Sequence, residues 1–198
     1  LQGDEWDTIM NYDAFMEPLT WYLTGMEKHS DEYRDDMFGN SDAFISAMKV
    51  HMRRLHMSAL QTAMNELSNH DHSRFLTRTN HRPGRIAYAG AEAASKDVNV
   101  AVMREAVAVQ MTWPGAPTLY YGDEAGLCGF TDPDNRRAYP WGRENKELIE
   151  FHKKMIAIHK KYRVLKRGSL EFLWNDYQGL AYGRFTNDER VIVVINNR

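Results

Sequence analysis

Short β-rich runs alternate with helical periods from residue 7 to residue 163, and beyond that point β-rich runs are separated by turns alone. This order constrains the fold more than any single motif, because strand-helix-strand alternation builds parallel α/β units, whereas strands joined by tight turns build antiparallel sheets. Residues 7–12, 62–68 and 116–121 read as strands in the first region. Phe44, Ile45, Met48, Met52, Leu55 and Ala59 keep three- and four-residue spacings, which predicts an amphipathic helix over 41–60 capped by Ser41 or Asp42. Residues 97–112 carry two signals: Val98, Val100 and Val102 alternate as in a strand, while Met103, Ala106, Val107 and Met111 keep helical spacing. The length of that run favours a helix, stopped at Trp113-Pro114-Gly115. Leu148, Phe151, Met155, Ile158 and Tyr162 predict a helix over 145–163. The runs 170–174, 180–185 and 191–195 then predict an antiparallel meander, so the chain divides into an α/β part, residues 1–163, and an all-β part, residues 164–198.

Charge narrows the classes of partner. With 25 Lys and Arg against 27 Asp and Glu, the formal charge is −2, which offers no attraction for nucleic acid or for an anionic membrane surface. No apolar run approaches the ~20 residues that a membrane span needs, so a soluble chain is expected. Cys128 stands alone, which excludes an intrachain disulfide and leaves the compartment open between cytoplasmic and secreted. The first residues, from Leu1, lack both Met and the pattern of a signal peptide, so a processed chain or a fragment is expected.

In parallel α/β folds, polar residues at the C-terminal ends of strands line the functional face. Three clusters occupy that position here: Asn11-Tyr12, Asn69-His70-Asp71 and Tyr121-Gly122-Asp123-Glu124. One such cluster is ordinary turn chemistry, but three in one topological position point to a substrate site. His70-Asp71-His72 also contains metal-ligating residue types, yet no second carboxylate-histidine cluster lies at ligand spacing, so no metal is assigned. Asp132-Pro133-Asp134-Asn135 begins like a calcium loop, but Arg137 and Arg143 stand where an EF-hand needs Gly and Glu. That loop is either self-neutralising or a binder of polar hydroxyls. Trp6, Tyr12, Trp21, Tyr22, Tyr120, Tyr121, Tyr139 and Trp141 lie in or near the candidate loops, and rings beside carboxylates suit a sugar, although packing accounts for most of them.

Taken together, the segments Gly3–Tyr12, Leu67–Asp71, Gly115–Glu124 and Asp132–Trp141 resemble glycoside hydrolase family 13, the α-amylase family, and within it the neopullulanase, cyclomaltodextrinase and maltogenic amylase branch. The resemblance implies a (β/α)8 barrel followed by a β-sandwich. Residues 7–12, 63–68 and 117–121 would be barrel strands six, seven and eight, and residues 164–198 would begin the sandwich. A whole barrel usually takes ~250 residues, so 198 residues correspond to the C-terminal part of one.

The same resemblance implies retaining cleavage of α-1,4, and in some members α-1,6, glucosidic bonds in starch-like polysaccharides and maltooligosaccharides. Asp71 matches the family's third catalytic carboxylate, which stabilises the distorted sugar. His70 matches its hydroxyl-binding neighbour, Asn69 and Tyr12 join it as substrate-binding residues, and Asp132 and Arg136 match contacts to a sugar further along the nonreducing side. Glu124 matches a buried structural carboxylate. The aspartate nucleophile and glutamate acid/base have no match in the chain; Glu5 fails on register because it precedes strand six. Two carboxyl groups about 5–5.5 Å apart are needed for retention, so the isolated chain is expected to be inactive. No cofactor is required, calcium is open by family habit without a readable site, and unpaired barrel edges favour self-association. The rivals are a noncatalytic glucan-binding or scaffold homologue and a family transglycosylase.

Overall fold

The computed structural model describes residues 6–197. The motif residues Gly3, Asp4 and Glu5, and with them the rejected acid/base candidate, lie outside the described residues. The strand expected over 7–12 contracts to a single parallel bridge between Met10 and Met64. At Tyr12 the backbone turns into a π-helical segment, Tyr12–Met16, that runs into α1, Glu17–Thr24. Pro18, which has no N–H to donate, sits at the junction where the π-helical segment gives way to α1. Gly25 ends α1 at φ 64°, a left-handed cap that Gly adopts without steric cost. Helix α1 was not legible by period because Leu19, Thr20, Tyr22 and Leu23 are buried on several sides at once.

The helix expected over 41–60 is two helices, α2 (Ser41–Met52) and α3 (Met57–Thr62). Its cap is Asn40, one residue earlier than expected, whose side chain accepts from the Ala43 amide at 3.0 Å. Next come β1 (Met64–Glu66), the short α4 (Phe75–Arg78) and α5 (Ile86–Ala89), and α6 (Val100–Thr112). The ambiguous run is thus a helix, capped by Asn99, which accepts from the Ala101 and Val102 amides. After α6, β2 (Ala116–Thr118) pairs in parallel with β1, Met64 opposite Ala116 and Glu66 opposite Thr118. Three parallel backbone segments therefore lie side by side, and their C-terminal ends carry the three polar clusters toward one face.

The best-patterned helix is α7 (Lys146–Lys161), capped by Asn145, with Leu148, His152 and Met155 buried. After the short α8 (Val164–Arg167), β3 (Ser169–Asp176), β4 (Gly179–Phe185) and β5 (Arg190–Asn196) form the expected antiparallel meander in the order β3-β4-β5. This sheet packs on the back of α6. Tyr182 and Thr112 hydroxyls meet at 2.6 Å, and the buried Arg184 donates to the carbonyls of Thr112 and Gly168. Trp113, fully buried, sits at the junction, its ring centre 5.1 Å from Tyr182, 5.8 Å from Phe44 and 5.9 Å from Phe172. The residue that stops α6 is therefore also the packing centre shared by both parts of the chain. The opposite face of the sheet exposes Leu173, Ile192 and Val194. No helix among the described residues is long and apolar enough to cross a membrane.

Candidate active site

The site begins with the polar pairing of the strands that carry it. Asn11 donates to the Asn65 side chain at 2.8 Å, and Asn65 donates to the Pro114 carbonyl at 3.0 Å. Gln110 of α6 donates to the carbonyls of both Asn65 and Thr118. These buried groups satisfy one another and fix the relative heights of the strand ends.

On that base, Asn69 brackets the loop above β1. Its amide nitrogen donates to the Tyr12 hydroxyl at 3.0 Å and to Glu66 Oε2 at 3.1 Å, and its oxygen accepts from the Asp71 and His72 amides. Both its hydrogens and both its lone pairs are engaged within the protein, so Asn69 holds the loop in shape. Burial pushes the Glu66 carboxyl pKa up, against the opposing hydrogen bond from Asn69. Burial likewise raises Tyr12, with the Glu66 carboxylate adding to the effect.

Asp71 is held by its backbone, and its side chain stands beside His70. Its carbonyl accepts from the Thr131 hydroxyl and from the Asp132 amide. His29 Nδ1 lies 2.9 Å from the same hydroxyl. Since Thr131 spends its one proton on Asp71, it accepts from His29, which places the imidazole proton on Nδ1. The Asp71 carboxylate is about half exposed (53%), and His70 Nε2 stands 3.5 Å from it, also half exposed. A carboxylate and an imidazole exposed side by side can bind sugar hydroxyls, and the carboxylate can stabilise positive charge that develops next to it. His72 faces the other way, packed edge-on between the rings of Tyr12 and His29, and burial lowers its pKa to about 3. His70-Asp71-His72 thus does not converge on a metal. Among the described residues no three or more His, Cys, Asp or Glu side chains come together as a metal-binding group.

Asp132 and Arg136 form an ion pair with both side chains about half exposed, beside the Asp71 loop. Asn135 between them is fully buried and donates to the carbonyls of Asn69 (3.0 Å) and His72 (2.7 Å). Asp134 is engaged by Arg137 through two nitrogens and accepts from the Phe130 amide. The loop is therefore half scaffold and half open surface. Asp71, His70, Asn69, Tyr12, Asp132 and Arg136 all belong to this connected assembly.

Four residues in it escaped the sequence reading: Asn135, Thr131, His29 and Arg74. Arg74 is fully buried and ties α4 to the loop after β2 through the Tyr121 carbonyl and the Asp123 carboxylate, while its guanidinium lies 4.3 Å from the Tyr120 ring centre. The buried carboxylate of that loop is consequently Asp123, not Glu124. Burial raises the Asp123 pKa, with Arg74 acting against it. Glu124 is only partly buried and accepts from the Gly122 amide. No local signal marks Arg74, because its partners Tyr121 and Asp123 lie 47 and 49 positions away.

The family described as alpha amylase, catalytic domain, matches residues 2–164. Neopullulanase 2 of Thermoactinomyces vulgaris is 34% identical over 100% of this chain and 30% of its own length. Amylopullulanase of Thermoanaerobacter thermohydrosulfuricus is 35% identical over 93% of this chain and 12% of its own. The crystal structure of cyclic alpha-maltosyl-(1→6)-maltose hydrolase from Arthrobacter globiformis superposes with a TM-score of 0.77 at 26% identity, covering 99% of this chain and 38% of that one. The chain thus spans well under half the length of these relatives.

Proposed function

The chain belongs to the α-amylase family of glycoside hydrolases, and from that premise we propose that it forms the C-terminal part of the catalytic barrel of a retaining α-glucan hydrolase. In this reading the Met10 segment, β1 and β2 are barrel strands six, seven and eight, residues 1–163 complete the barrel, and residues 164–198 open the β-sandwich. The exposed apolar face of Leu173, Ile192 and Val194 is what a second packed sheet would cover.

The observation that carries the reading is the Asp71 loop. A half-exposed carboxylate beside His70 stands on a backbone whose amide and carbonyl are both tied down. Asp71 is the third carboxylate, which binds the distorted sugar and gains strength as the oxocarbenium ion forms; contacts of this kind are worth a few kcal/mol each. His70 binds hydroxyls of the same sugar, Asp132 and Arg136 bind a sugar further toward the nonreducing end, and Asn69 and Tyr12, expected from the resemblance to bind substrate, instead position the loop, because the Asn69 side chain is engaged by Tyr12, Glu66 and the Asp71 and His72 amides. The substrate is an α-1,4-linked glucan or maltooligosaccharide.

None of the matched motifs carries the nucleophile or the acid/base. These 198 residues alone are therefore expected to yield no products from starch, pullulan or cyclodextrin. Product formation by the purified chain that Asp71→Ala abolishes would overturn this. β2 pairs only with β1 among the described residues, and such free edges favour self-association; sedimentation giving a well-folded monomer would count against that part.

A further inference from the structure

We propose that Tyr139 and Trp141 form an aromatic platform for the glucan chain beyond the residue held by Asp132 and Arg136. The inference rests on the proposed function and extends its site along the loop. Trp141 is 80% exposed and packs against Tyr139, ring centres 4.5 Å apart at 48°. An exposed indole on a mobile segment would carry little meaning, since single surface apolar residues are common. This one stands on a braced turn. The Trp141 amide donates to the Tyr139 carbonyl at 2.8 Å, the Arg143 amide to the Pro140 carbonyl at 2.9 Å, and the Gly142 amide to Glu144 at 3.0 Å.

The turn is also anchored to the end of the molecule that carries Asp71. The Tyr139 ring lies near the Glu124 carboxylate, the Asn145 N–H donates to the Ala125 carbonyl, and the Tyr121 hydroxyl donates to the Arg137 carbonyl at 2.8 Å. Glu124 and Ala125 belong to the loop after β2. Trp141 lies five residues along the same loop from Arg136, at most about 18 Å away, a span that a few linked sugars bridge. Rings present a flat apolar face to sugar C–H groups, and the exposed Arg143 beside them offers donors to the hydroxyls. The ligand class is thus an α-linked oligosaccharide longer than the Asp71–Asp132 region can hold.

The test is calorimetric binding of maltotriose and of a maltooligosaccharide of seven or more units (roughly the reach above) to the full-length protein. It compares the wild type with Trp141→Ala, Trp141→Phe and Asp71→Ala. The platform predicts that Trp141→Ala loses about three- to tenfold in affinity for the long ligand alone. Trp141→Phe should recover most of that loss, and Asp71→Ala should weaken both ligands. Equal affinity of wild type and Trp141→Ala for the long ligand would overturn the platform while leaving the Asp71 site intact. Shielding of Trp141 from acrylamide quenching in the ligand-free protein would overturn it as well, by showing that protein covers the ring. Binding of both ligands that Asp71→Ala leaves unchanged would instead refute the reading on which the platform rests.

Discussion

The Asn135 side chain donates to the His72 backbone carbonyl at 2.7 Å across 63 positions of sequence, and through this contact the loop of Asp132 and Arg136 is fastened to the loop of Asp71. A second bond from the same nitrogen, to the Asn69 carbonyl, makes Asn135 a two-pronged clamp in a fully buried place.

Removal of that clamp should be felt as stability first. Asn135→Ala deletes two buried hydrogen bonds and orphans two carbonyls, a loss of about 2–4 kcal/mol. Chemical denaturation should show a lowered midpoint with an unchanged slope. Substitution of the exposed Asp132 by Ala should cost no more than about 1 kcal/mol, which separates the scaffold half of the loop from its open half.

This division explains what could be read from the chain alone. Helix α7 was legible because Leu148 and Met155 are buried on one face while charged residues fill the other. Asn69, His70 and Asp71 were legible because they follow a strand end directly, and strand ends in parallel folds point to function. Asn135, Thr131 and His29 were not, because each acts through a partner roughly 60 to 100 positions away. Helix α1 has no polar stripe to mark its period, and the first strand shrank to one bridge at Met10 because its neighbours turn at once into the π-helical segment.

His72 predicts an acid-side loss of stability. Its pKa falls from the usual 6.5 to about 3 in the folded chain, so below pH 6.5 the unfolded chain binds the extra proton and folding weakens as pH drops. His72→Gln should abolish this component. The stability difference between variant and wild type should shift in favour of the variant by at most about 2 kcal/mol from pH 7 to pH 5, measured as denaturant midpoints at both pH values.

Glu105 on α6 has the opposite sign. Burial alone raises its pKa from 4.5 to about 7, and Oε2 has no hydrogen-bond partner. The folded chain therefore holds the proton more tightly, and the stability this confers below pH 4.5 is lost as pH rises through 7. Glu105→Gln should be close to neutral at pH 4.5 and stabilising by about 1–2 kcal/mol at pH 8, once its partial exposure is allowed for. Thermal unfolding of both proteins across that range checks the crossing.

The central claim is that Asp71 acts on the sugar at the scissile bond while contributing little to the fold, because its side chain is half exposed and its backbone carries the structural contacts. The most direct measurement is turnover of a maltooligosaccharide by the full-length protein with and without Asp71→Ala, alongside the unfolding midpoint of each. The account predicts a fall in kcat of at least about a hundredfold with the midpoint nearly unchanged. Turnover within a few-fold of wild type, or a loss that merely follows a collapse of stability, would contradict it.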